Sequence, residues 1–304
     1  MQSDRFEVSD TAESLHAAYL SRCAPGFQVR RIEWSEGTTT LIDGGQGPPL
    51  LLVHGGGGAA FHWGTLLPYL ASRFRVLAVD RPGHGLADAF DYRRVDLLAH
   101  AHRFISDVLN GEQLPSVTLV GNSMGGLWAT AFALRDPERV QHLWLVGAPG
   151  GLTRHLPLAL RLPAIPLLRG IARRVAERAT GARLRGFWGR ALVAHPERLT
   201  HDFLELDAAL TRRNAASLLS LADCALDWRG FKPELVLGAR WQALRVSTTF
   251  VVGERDRVDP AAVETERVVA LSQRFDLVRI PDVGHVPWID NPAAIAEALS
   301  VAHA

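Results

Sequence analysis

Gly121-Asn122-Ser123-Met124-Gly125-Gly126 is the stretch on which the reading of this chain turns. It follows the apolar run 117–120, which reads as a buried strand, and precedes 127–134, which reads as a helix. A serine among small residues at a strand-to-helix junction fits the sharp G-x-S-x-G turn. In that turn the residues two before and two after the serine must lack bulk. The serine oxygen then stands at the carboxyl end of the sheet, and the amides of the following helix face any negative charge that develops there. Five residues with three fixed positions recur by chance in a chain with 27 glycines, so the flanking segments have to carry the argument further.

Two later segments do so. Residues 249–256 are a β-branched run ending in Gly253-Glu254-Arg255-Asp256, and 280–285 are a short strand end followed by Gly284-His285. Between them, 260–271 reads as a helix and 274–280 as a strand, so acid and histidine fall at the carboxyl ends of neighbouring strands. Open parallel sheets place their active sites at that edge. The order serine, acid, histidine differs from that of chymotrypsin-like and subtilisin-like proteases.

Pro49-Leu50-Leu51-Leu52-Val53-His54 reads as another buried strand and leads into Gly55-Gly56-Gly57-Gly58. The run lacks the Lys-Ser/Thr of a phosphate loop and the spacing of a dinucleotide fingerprint. It reads as an oxyanion loop, with the amides of Gly56 and Met124 as the two donors.

With Asp80-Arg81-Pro82-Gly83-His84-Gly85 after the fourth strand, these motifs resemble the cap-bearing α/β-hydrolases, from roughly Gly26 to the C-terminus. The resemblance implies an α/β fold: a mostly parallel eight-stranded sheet, helices on both faces and a helical cap inserted after strand six. It divides the chain into an N-terminal extension 1–25, a core of 26–150 and 241–304, and a cap 151–240. Among three nearby acids, Glu254, Asp256 and Asp259, the family spacing Gly-x-x-Asp selects Asp256. The implied catalytic residues are Ser123, Asp256 and His285. His54 and His84 are expected to be structural. Candidate substrate contacts are Gly57, Trp63, Asn122, Val286 and Trp288, with Trp128 assigned to the core.

A serine nucleophile excludes the epoxide-hydrolase and haloalkane-dehalogenase branches, which need a carboxylate. Among serine branches the motifs look most like meta-cleavage product hydrolases, which split carbon–carbon bonds. The chain departs from their pattern at Val286, where they carry Trp, at Gly55–Ala59, where they carry Gly-Gly-Gly-Pro-Gly, and at Trp63-Gly64-Thr65, where they carry Trp-Ser-Asn. The expected activity is therefore hydrolysis of a carboxylic ester or lactone, with carbon–carbon hydrolysis second and a non-catalytic binding protein third. The implied substrate is a small acyl compound. No metal or organic cofactor is implied.

Composition bounds the rest. A chain of 304 residues that is 47% hydrophobic can bury a large core. Its net charge of +1 gives no global electrostatic case for nucleic acid. Cys23 and Cys224 fit no metal spacing and read as free thiols of a reducing compartment. Residues 1–8 carry no apolar signal region, and no uncharged apolar run approaches the ~20 residues of a membrane span. A soluble cytoplasmic protein is expected. From about 150 to 240 no strand is expected, only helical periodicity broken by prolines. Between Arg154 and Arg190 nine arginines accompany one acid, Glu177. The expected reading is a solvated helix face, with contact to an anionic substrate or a membrane surface as alternatives.

Overall fold

The computed structural model describes residues 11–301. The part of the expected extension formed by 1–10 lies outside the described residues. Strands β1 (Gln28–Trp34), β2 (Gly37–Gly45), β3 (Pro49–Val53), β4 (Arg75–Val79), β5 (Val117–Asn122) and β6 (Val140–Val146) come first in the chain. A hairpin of β7 (Leu226–Asp227) and β8 (Gly230–Phe231) follows, then β9 (Thr248–Gly253) and β10 (Phe275–Ile280). Eight of these form one sheet in the order β1-β2-β4-β3-β5-β6-β9-β10. β2 is antiparallel to both its neighbours and every other pairing after it is parallel.

The central strands are apolar on both faces, as strands covered on both sides must be. Leu51, Val53, Leu77, Val79 and Leu119 join one core cluster; Leu50, Leu52, Val76, Ala78 and Val120 alternate with them and join the other. The helices are α1 (Ala12–Cys23), α2 (Leu67–Leu70), α3 (Leu97–Gly111), α4 (Met124–Arg135), α5 (Leu158–Arg161), α6 (Arg169–Glu177), α7 (Gly181–Ala191), α8 (His201–Arg213), α9 (Ala215–Ala225), α10 (Val263–Val269), α11 (Pro287–Asp290) and α12 (Pro292–Val301). α3 and α4 fill the first cluster with Phe104, Leu127 and Trp128, while α1 and α12 fill the second with Tyr19, Leu20, Ile295 and Leu299. α3 starts at Leu97 because the Asp96 carboxylate caps the amides of Leu98 and Ala99.

Between β6 and β9 lie α5 to α9, the proposed cap. The expectation of no strand there is corrected by the β7–β8 hairpin. Two residues per strand are too few to show periodicity. The turn is made by Asp227, whose carboxylate accepts from the amide of Arg229, and by Gly230 at φ +127°. α1 braces this segment: Tyr19 meets Phe203 of α8 edge-on at 6.0 Å, and Arg22 pairs with Asp202. The helix expected over 260–271 is shorter, because Ala261 and Ala262 are left-handed and α10 begins only at Val263.

Candidate active site

Ser123 follows β5 and caps α4 with φ 52° and ψ −118°. Such a conformation costs a non-glycine residue on the order of 1–3 kcal/mol and persists only where the surroundings fix it. They do so by close backbone packing. A Cβ on Gly121 would lie 2.5 Å from the carbonyl oxygen of Gly125, and one on Gly125 would lie 2.1 Å from that of Val53. Both glycines are therefore required by contact. The Ser123 hydroxyl caps no helix amide, and α4 offers its unsatisfied first-turn N–H groups at this point.

The acid and the histidine arrive from β9 and β10. Asp256 and His285 are both buried. His285 Nδ1 donates to Asp256 Oδ2 at 2.9 Å. The same carboxylate accepts the amides of Ala148, at 3.0 Å, and Val258, at 2.7 Å. Burial alone would raise the Asp256 pKa. The attraction of a protonated His285, its Nδ1–H hydrogen bond and the two amides outweigh it and hold the carboxyl below its usual range. With its proton committed to Nδ1, the ring leaves Nε2 as a buried nitrogen with no hydrogen-bond partner. Asn122 joins this ring's loop to the serine turn, its amide donating to the carbonyls of Val146 at 2.7 Å and His285 at 3.2 Å.

The glycine loop lies against the serine turn. A Cβ on Gly55 would stand 3.3 Å from Ser123 Cβ, and one on Gly56 would stand 3.6 Å from Met124 Cβ. Its orientation is fixed through one carbonyl. Gly55 O accepts from His54 Nδ1 at 2.9 Å, from Arg81 Nη2 at 2.8 Å and from the Gly58 amide at 3.1 Å. His54 Nε2 accepts the Arg81 amide, so the proton sits on Nδ1. Burial first, then the Arg81 charge, keeps the His54 pKa well below its ordinary value. In a trans peptide the next N–H points opposite the carbonyl, so pinning Gly55 O turns out the amide of Gly56. His84 serves the same clamp: its Nδ1 donates to Pro82 O at 2.8 Å and its Nε2 faces Arg81 Nη2 at 3.2 Å. Asp80 ties the turn after β4 to the segment after the glycines through the amides of Leu86 and Ala60. Burial lifts its pKa to about 6.

The remaining candidates fall in different places. Gly57 is exposed, with φ +71° and open space at its Cα. Trp63 and Trp288 stack on each other at 3.8 Å in the core, and Trp288 Nε1 donates to His62 O. Val286 is buried, its amide bonded to Leu192 O of the segment between β6 and β9. Trp128 is core, beneath the Arg81 guanidinium at 4.9 Å. Of the rival acids, Glu254 is exposed, and Asp259 caps α10 through the amides of Glu264 and Thr265.

Two acids that sequence reasoning passed over tie the segment between β6 and β9 to this edge. Asp207 of α8 accepts from His62 at 2.9 Å and from Trp188 Nε1 at 2.8 Å. It occupies a position of α8 where Phe203 and Leu210 lead one to expect an apolar residue, and that break in the stripe was the available signal. Asp290 accepts the amides of Ala194 and His195 from that segment and of Gly284 from the histidine loop, at 2.8–2.9 Å. Among the described residues, no group of three or more His, Cys, Asp or Glu side chains could hold a metal ion, and no helix is long and apolar enough to cross a membrane.

Comparison with known proteins agrees with this architecture. The model of the alpha/beta hydrolase family matches residues 50–298. A 1-acylglycerol-3-phosphate O-acyltransferase of Arabidopsis thaliana is 27% identical over 261 residues, covering 76% of this chain and 60% of that protein. The chain thus spans about six-tenths of the length of that plant relative. A 2-hydroxy-6-oxo-2,4-heptadienoate hydrolase of Pseudomonas putida is 40% identical over 130 residues, 42% of this chain and 43% of that one. The crystal structure of carboxylesterase CesB from Bacillus subtilis superposes with a TM-score of 0.74 at 20% identity, covering 95% of each chain.

Proposed function

The chain belongs to the alpha/beta hydrolase family, and on that premise we propose that it is a serine hydrolase acting on a carboxylic ester or lactone. The observation that carries the reading is the buried His285 ring, oriented by Asp256 with Nε2 left unpartnered, at the edge where Ser123 is held in a strained turn. Ser123 Oγ attacks the carbonyl carbon while His285 Nε2 takes its proton. The amides of Gly56 and Met124 stabilise the oxyanion, each donor contributing on the order of 3 kcal/mol to the barrier. Asp256 stabilises the imidazolium, which returns the proton to the leaving alcohol. Water then repeats the sequence on the acyl-enzyme, releasing the acid and restoring the serine. The segment between β6 and β9 is the cap, and the side of it that is buried against the sheet edge shapes the acyl and alcohol sites. The free Cys23 and Cys224 support a cytoplasmic, reducing location.

The identity to a dienoate hydrolase favours a second reading, carbon–carbon hydrolysis of a ring-fission product. That reaction needs a pocket for the substrate carboxylate and for carbanion-like charge. Here Thr65, its hydroxyl on Trp288 O, and Val286 stand where those enzymes carry Asn and Trp. The test is kcat/KM for a short aryl ester against a 6-oxo-dienoate on one preparation. The ester is expected to win by at least about tenfold, a barrier difference of ~1.4 kcal/mol. A dienoate turned over faster than every ester reverses the ranking. A fluorophosphonate that fails to label Ser123 returns the protein to a non-catalytic binding role.

A further inference from the structure

Ten large hydrophobic side chains stand exposed among the described residues, and six of them lie together on the cap: Leu158, Leu162, Leu167, Ile171, Val175 and Trp228. Singly scattered exposed hydrophobics need no explanation, but a cluster does. Ile171 and Val175 of α6 are four residues apart and share one face, and Leu167 lies in the turn Pro166–Leu168 that leads into that helix. Leu167 is 92% exposed, and α6 buries none of its residues. The turn Leu162–Ala164 packs on both α5 and α6 and continues the stripe toward Leu158. Arg161 joins the hairpin to it by donating to the carbonyls of Trp228 and Arg229. Trp228, at 62% exposure, carries the Arg229 guanidinium over its ring at 4.6 Å.

The charges left without an opposite partner on this face are of one sign. Glu177, the lone acid between Arg154 and Arg190, is taken up by Arg173 at 2.7 Å, and Arg169 pairs with Asp223 of α9. Arg174 and Arg178 flank the apolar stripe and have no acidic partner among the described residues. A solvated polar face accounts for the arginines and leaves the aliphatic side chains between them unexplained.

We propose that this face of the cap docks on the surface of a bilayer that carries anionic lipid headgroups. The aliphatic stripe enters the boundary between headgroups and acyl chains, Arg174 and Arg178 stay level with the phosphates, and Trp228 sits at the same interface. A second copy of the chain fits poorly. A two-fold contact lays the patch against itself and brings arginine opposite arginine, with no free acid to receive either. A nucleic acid fits poorly as well, because its phosphates would bury the aliphatic stripe. The docking face lies outside the residues assigned to the reaction, so it stands or falls separately from them.

The test is co-sedimentation of the full chain with vesicles of phosphatidylcholine alone and of phosphatidylcholine with about a third phosphatidylglycerol. Binding is expected to be at least about tenfold tighter to the anionic vesicles and to fall steeply at about 0.5 M salt. Ile171→Asp with Val175→Asp should weaken it by tenfold or more, as should Arg174→Ser with Arg178→Ser at about the same size. Both pairs should keep the parent's melting temperature and its hydrolysis of a short water-soluble ester. Tyr69→Asp, an exposed residue of α2, should leave vesicle binding unchanged. Equal binding to neutral and anionic vesicles, no binding to either, or undiminished binding by the Ile171/Val175 pair would overturn the proposal. So would a concentration-dependent dimer, or a complex with an acidic protein, that the same pair abolishes.

Discussion

Replacing Asp256 by asparagine keeps the shape of the side chain and changes one acceptor into a donor. In the parent, Oδ2 accepts His285 Nδ1–H and the Ala148 amide while Oδ1 accepts the Val258 amide. If the new NH2 takes the Oδ2 position, it faces Ala148 N–H and forces His285 to accept on Nδ1. The ring proton then moves to Nε2, which can no longer take a proton from Ser123. If the NH2 takes the Oδ1 position, the tautomer survives and the Val258 amide loses its acceptor. Either way one buried backbone donor is orphaned, a cost of about 1–3 kcal/mol to stability. The negative charge beside the imidazolium is lost in both. The expected fall in kcat is on the order of 10⁴-fold, or ~5.5 kcal/mol on the barrier. Steady-state hydrolysis of a p-nitrophenyl ester reads the rate, and a thermal melt shows that the variant remains folded. Two controls sharpen it. Glu254→Gln changes an exposed residue and should be neutral, and Asp259→Asn unseats the cap of α10 and should lower the melting temperature with little effect on kcat. Activity of Asp256→Asn within about tenfold of the parent, or an equal loss in either control, refutes the reasoning.

Further expectations follow from the same geometry. Ser123→Ala should lose hydrolysis, and Ser123→Gly, also inactive, should be more stable than Ser123→Ala by ~1 kcal/mol because φ is 52°; equal unfolding midpoints in urea would deny the strain. Gly125→Ala sets a Cβ against the backbone of Val53 and should cost more than ~3 kcal/mol or prevent folding, whereas Gly57→Ala meets open space and should cost only ~1 kcal/mol, a difference measured by chemical denaturation. The stability that Asp256 draws from its depressed pKa is present above its unfolded value of 3.8 and is lost as pH falls through the lower folded value. The gap in unfolding free energy between parent and Asp256→Asn should therefore narrow as pH falls below about 5 and keep narrowing below the unfolded value of 3.8. Asp207→Ala should destabilise by several kcal/mol, since His62 and Trp188 both lose a buried acceptor; an unchanged melt would show that water replaces it.

Close-range steric rules made the elbow and the sheet legible. Gly121 and Gly125 signal a turn that only small residues fit, and the alternation Leu50–Val53 fills two opposite faces. Proximity along the chain said less about direction. Trp63 and Trp288 each adjoin a motif, yet their rings turn into the core and onto each other, because a flat apolar surface is best covered by another. The β7–β8 hairpin depends on a long-range fit: Gly230 lies where a Cβ would meet the carbonyl of Arg154 at 1.8 Å, a contact between residues far apart in sequence. Asp290 was hidden for a related reason. Two of its three amide partners, Ala194 and His195, lie in one segment far back in the chain, and a lone acid in an apolar stretch carries no spacing that announces them.

That carboxylate bears on how the fold can be taken apart. Lids on a shared core invite treatment as interchangeable modules, cut out between strands and regrafted. Here the seam runs through the lid. Ala194 and His195 supply two of the three donors to Asp290, Leu192 O takes the Val286 amide, and a Cβ on Gly284 would lie 2.7 Å from that same carbonyl. Excising the whole insertion would strip a buried carboxyl of most of its donors at the loop that carries His285. A chimera that exchanges only the part before Leu192 leaves these bonds whole. If the insertion is the proposed cap, the unit that can be recombined is smaller than the insertion, with its downstream boundary before Leu192.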